Sequence, residues 1–186
     1  MDNDVMMRLA VVGVAVLAAV AVWLLMKRRR TAALRARFGP EYDRVLETTS
    51  TPAEAERQLS ERQRRVESFS LRSLSPDQAE QFAVSWRTVQ ARFVDDPRGA
   101  VVEADRLIED VMRSRGYPVE DAARRLDDLS VDHAAVVSHY RAGRDLVQRH
   151  ARGEASTEDL RQAMVHFRAL FDELVGANRS HVRRAS

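Results

Sequence analysis

Residues 9–26 read LAVVGVAVLAAVAVWLLM, eighteen positions without a charged or strongly polar side chain, and KRRR follows at once. At about 1.5 Å per helical residue such a run approaches the minimum length of a hydrocarbon core. A cleaved secretion signal has its cations before the apolar stretch and small residues after it. Here Arg8 alone precedes the stretch, and Lys27, Arg28, Arg29 and Arg30 follow it. The layout therefore predicts a retained, single-pass transmembrane helix of the signal-anchor kind.

Cations near a span stay on the cytoplasmic side. This places residues 1–8 outside and the rest of the chain inside, at a plasma or inner membrane. Trp23, Lys27, Arg28, Arg29 and Arg30 are the residues expected to meet the membrane surface, with lipids as partners through the anchor and its basic collar. Ala15 and Ala19 form a small-x-x-x-small pair of the kind that permits close helix contact, the one feature of the sequence that points to a homo-oligomer.

The collar also explains the charge. The sequence pI is about 9.5, yet from Phe38 onward there are 23 basic and 26 acidic groups. A slightly acidic domain is the wrong electrostatic footprint for nucleic acid, and no nucleic-acid partner is expected. The absence of cysteine excludes disulfides and thiolate chemistry.

Beyond a basic segment at 27–37, residues 38–175 read as one all-α domain of about five to six helices, and 176–186 as a polar tail. Helix starts are marked by Thr51-Pro52-Ala53-Glu54, Ser75-Pro76-Asp77-Gln78, Asp96-Pro97, Asp132 and Ser156-Thr157-Glu158-Asp159. Stops are marked by Gly116, Gly153 and Gly176. Ala79, Phe82, Trp86, Val89 and Phe93 make one continuous stripe, which nominates their helix for the centre of the core. Further stripes run through Val101, Ala104, Leu107, Ile108, Val111 and Met112; through Val136, Val137, Tyr140 and Val147; and through Leu160, Met164, Phe167, Leu170, Phe171 and Leu174. The helix from Pro52 to Phe69 has a thinner face of Ala55, Leu59, Val66 and Phe69, interrupted by Arg62. It is expected at the edge of the bundle, with a spacer arm as the alternative.

Chemistry is harder to find. No glycine pattern cradles phosphate. His133 and His139 lie about 240° apart around a helix, so they share no face for a metal. His139 does share a face with Asp132, but without a third group. His150 is placed to balance a helix C-terminus, His166 borders an apolar stripe, and His181 sits in the tail. Asp105 with Glu109, and Glu154, Glu158 and Asp159, read as solvated carboxylates or caps. Arg124, Arg125, Arg179, Arg183 and Arg184 lack interleaved aromatics and read as solvated charge. No catalytic residue, metal or cofactor is assigned.

The segments WRTVQARFVDDPRGAVVEADRLIEDVMRSRGYPVED (86–121), LSVDHAAVVSHYR (129–141) and GEASTEDLRQAMVHFRALFDELV (153–175) resemble a family of uncharacterised bacterial proteins of the high-GC Gram-positive type. Its members often pair a membrane-anchor helix with an all-helical domain. The resemblance covers about residues 38–175 and implies these boundaries, with no activity or site residue to carry over. The expectation is a membrane-tethered, non-enzymatic interaction or scaffold module with an unknown protein partner. The alternatives are a membrane-associated enzyme with a pocket near His139 or Asp105, and a membrane-proximal nucleic-acid binder.

Overall fold

The computed structural model describes the backbone of residues 2–184 and the side chains of residues 12–121 and 124–176. Eight helices and no strand occur among the described residues. They are α1 (Asp2–Phe38), α2 (Pro40–Thr48), α3 (Pro52–Glu67), α4 (Pro76–Arg92), α5 (Pro97–Ser114), α6 (Ala122–Asp132), α7 (Ala134–Ala151) and α8 (Thr157–Arg184).

The all-α expectation stands, and the transmembrane helix does not. Among the described residues no helix is long and apolar enough to cross a membrane. In the described part of α1 the apolar run is Val12 to Met26, fifteen residues. The single-pass anchor, its sidedness and the membrane localisation lose their support with the transmembrane helix. The rest of the expected span, residues 9–11, and the 1–8 segment lie outside the residues whose side chains are described.

α1 also does more than the anchor reading required. It continues past the basic segment, and Leu34 and Phe38 near its end are buried in a small core with Tyr42, Val45, Ala55, Leu59, Val66 and Val131. Gly39, at φ +48°, then turns the chain into α2, and Pro40 opens the new helix. A left-handed backbone followed by a helix-starting proline is what glycine and proline each tolerate best. This break adds a helix that the periodicity alone did not reveal.

The larger core is built by α4, α5, α7 and α8, with Trp86, Ile108, Met112, Tyr140, Phe167 and Leu170 among its fully buried members. Here α4 is less central than its stripe implied. Trp86 and Val89 are buried, whereas Ala79, Phe82 and Phe93 are only partly so. α8 takes the middle instead, packed most extensively on α7 and next on α5. Two glycines make close approaches. Gly116, at φ +89°, ends α5 where an added Cβ would stand 2.6 Å from the Ser70 carbonyl oxygen, and Gly143 brings α7 within 2.7 Å of the Phe167 ring by the same measure.

The capping signals hold at Thr51, Ser75, Asp96 and Ser156, each of which accepts from a backbone N–H three residues on. Ser75 and Gln78 complete a reciprocal box. Asp132 starts no helix: it ends α6, and His133 precedes α7. Gly176 likewise stops nothing, since α8 runs through it to Arg184.

α6 joins the two cores. Leu129 packs into the larger one and Val131 into the smaller, while Ser130 between them and Asp128 just before them are also buried.

Candidate functional site

The strongest concentration of charge lies where the small core meets the large one. Glu41, on α2, is 5% exposed. It accepts two hydrogen bonds from Arg44 (2.9 and 2.6 Å), one from Arg62 on α3 (2.9 Å) and one from Arg141 on α7 (3.0 Å). Asp127 on α6 takes up the remaining cationic charge, 3.1 Å from Arg62 and 3.4 Å from Arg141. Burial alone would push the Glu41 carboxyl upward, but the Arg44 hydrogen bonds and the charges of Arg141 and Arg44 outweigh it and hold the group below its ordinary value. Arg62, which looked like an interruption of an apolar face, is thus the α3 contribution to a four-helix ion network.

Neighbouring polar groups are similarly engaged. Arg65 pairs with buried Asp128 at 2.6 Å, and Arg125, itself buried, pairs with Glu109 and donates to the Val119 carbonyl. The Tyr140 hydroxyl donates to Asp105, and burial together with that carboxylate pushes its pKa well up. Asp105, Glu109 and Arg125 therefore do not lie on solvated faces as their spacing implied. They sit at the core boundary, each paired with a group from another helix.

The histidines separate into distinct environments. His133 is buried, with Nδ1 3.3 Å from Glu173 and Nε2 without a partner. Burial drives its pKa down against the pull of Glu173, which keeps the ring neutral. His150 contacts the Ala155 carbonyl at 2.8 Å, bracing the turn into α8. His139 and His166 meet across α7 and α8, their Nδ1 atoms 3.3 Å apart. Asp132 pairs with Arg37 at 3.1 Å. Glu154 pairs with Arg152, Glu158 pairs with Arg161, and Asp159 caps Ser156. His181, Arg179, Arg183 and Arg184 lie outside the described side chains. No cluster of three His, Asp or Glu side chains able to hold a metal occurs among the described residues.

A groove of about 720 Å³ runs between α4 and α5, lined by Val89, Arg92, Asp96, Arg98, Glu103 and Arg106 among others. Its charges alternate, and Arg92 is tied to both Asp96 and Glu103. Neither His139 nor Asp105 lines it, so the pocket expected near those residues is not this one.

The residues expected to touch a membrane all lie on α1. Trp23 is 60% exposed with Lys27 stacked over its ring at 5.6 Å, Arg28 and Arg29 are exposed, and Arg30 donates to Ser60 on α3 at 3.0 Å. Along with Thr31, which donates to Glu56 at 2.6 Å, Arg30 begins the docking of α1 on the domain. From Val12 to Met26 every side chain is exposed and apolar or glycine.

No family model, curated protein or solved structure matches this chain.

Proposed function

We propose that the chain is a non-enzymatic interaction or scaffold module, a helical domain that presents the apolar end of α1 to other proteins. The observation that carries this reading is the exposure of that end. A helix of fifteen residues and about 10 Å diameter has a lateral surface of roughly 700 Å². Monomeric proteins seldom leave more than about 300–600 Å² of contiguous apolar surface open, and larger patches mark interaction sites. The segment is apolar on all sides, so a protein partner that buries it must surround it and not only cover a single stripe. Support also comes from the domain, where the titratable groups nearest the core are engaged in cross-helix ion pairs and hydrogen bonds that fix the shape of a platform.

The experiment is site-specific photo-crosslinking in cells, with the reactive side chain placed at Leu17 or Trp23 and, for comparison, at exposed Thr88 on α4. Protein adducts of defined mass from the α1 positions are expected. A chain that yields no protein adduct from either α1 position would overturn the proposal.

A further inference from the structure

His139 and His166 come from different helices and are 27 positions apart in the chain, yet their rings meet at the protein surface. The Nδ1 atoms are 3.3 Å apart, the ring centroids 5.4 Å, and the planes are inclined by 28°. Each ring therefore turns its Nδ1 edge to the other. Without a metal, this contact requires the proton on one Nδ1 and the lone pair on its neighbour.

The same distance suits a shared ion. Two nitrogens bound at about 2.0–2.1 Å to one tetrahedral centre are about 3.3–3.4 Å apart. We infer that His139 and His166 form a two-ligand site for a divalent first-row transition metal of the zinc, nickel and copper group, with water in the open positions. Imidazole is a suitable donor for each of these ions. In the neutral pair, the ring that donates at Nδ1 shifts its proton to Nε2, so both Nδ1 lone pairs reach the metal with no net proton change.

Two features hold the ligands in place. Gly143 lies one turn beyond His139, and its missing Cβ would stand 3.2 Å from the His166 Cβ and 2.7 Å from the Phe167 ring. The α7 and α8 backbones are therefore locked together beside the site. Phe167, next to His166, is fully buried and anchors that stretch of α8 in the core.

The test is equilibrium dialysis of the full chain against Zn²⁺, Ni²⁺ and Cu²⁺ separately, on the wild type and on the variants His139→Gln, His166→Gln and His150→Gln. One ion per chain is expected, with Cu²⁺ held most tightly. Each of the first two variants should weaken it at least tenfold, and His150→Gln should leave it unchanged. Because both rings lie at the surface, circular dichroism should show all three variants folded. Nitrogen-15 spectra of the histidine rings supply an independent readout, with the metal-induced shift confined to Nδ1 of residues 139 and 166. Absence of binding up to about 1 mM metal, or binding that survives both His139→Gln and His166→Gln, would overturn the assignment.

Discussion

Replacing Glu41 by Gln tests how the two cores are held in register. The side chain keeps its size and one acceptor oxygen, but loses the charge that Arg44, Arg62 and Arg141 share. Asp127 is then the remaining carboxylate near three guanidinium groups. Removing one partner of a buried ion pair costs about 3–5 kcal/mol, because the other charge is stranded away from water. The lower end applies here. Arg44 is 39% exposed and can turn to solvent, whereas Arg62, 11% exposed, cannot do so readily. A loss of about 3 kcal/mol is a large share of the 5–15 kcal/mol typical of a folded domain. It corresponds to a melting temperature lower by about 6–12 °C in a domain of this size. Urea unfolding followed by far-UV circular dichroism near neutral pH measures it, and a coupled substitution supplies the internal check. With Glu41→Gln in place, Arg62→Met should cost less than it does alone, since it then removes a stranded cation. A Glu41→Gln loss below about 1 kcal/mol, or additive effects in the double variant, would refute the reasoning.

Gly143→Ala sets a helix-propensity gain of about 1 kcal/mol against the overlap with Phe167, and overpacking costs typically about 1–3 kcal/mol. Net destabilisation is expected in thermal melts, and it should be relieved when Phe167→Leu is added. Gly116→Ala faces both a left-handed backbone and the Ser70 carbonyl, so a loss of at least about 1 kcal/mol is expected by urea unfolding. Ser75→Ala removes a reciprocal cap and should cost about 1 kcal/mol in the same assay. The pH dependence follows from His133 and Glu41, whose folded pKa values both lie below their ordinary ones. In each case the unfolded chain binds the proton more readily, so stability is present above the unfolded pKa and is lost as pH falls through the folded one. For His133 the decline begins near pH 6.5. His133→Leu should flatten the melting-temperature profile on that side, and an unaltered slope would count against a buried neutral ring.

The architecture was legible where its causes are local. Proline-opened helices with Ser, Thr or Asp caps appear where their short-range hydrogen bonds dictate, and the stripes of α5 and α8 mark buried faces correctly. Two kinds of feature were not. The Gly39–Pro40 break falls inside a stretch read for its charge, although a glycine followed by proline is itself a boundary signal. The partners of Glu41, Asp105, Glu109 and Arg125 on other helices lie 16 to 100 positions away, and helical periodicity carries no information about which helix lies opposite. The His139–His166 contact is of this second kind. Spacing along one helix compared His139 with His133 and Asp132, and the ring it meets belongs to α8. The transmembrane expectation failed for another reason. It was drawn from the apolar run of residues 9–26 alone, and among the described residues no helix is long and apolar enough to cross a membrane.

The double membership of α6 bears on how the molecule comes apart. A segment that fills space in two apolar clusters cannot leave one without opening the other, so the clusters are not independent folding units. Local fraying should stop at its borders. The slowest-exchanging backbone amides in α6, at Leu129 and Val131, should therefore share one opening free energy with those of α5 and α8, and the chain should unfold in a single step.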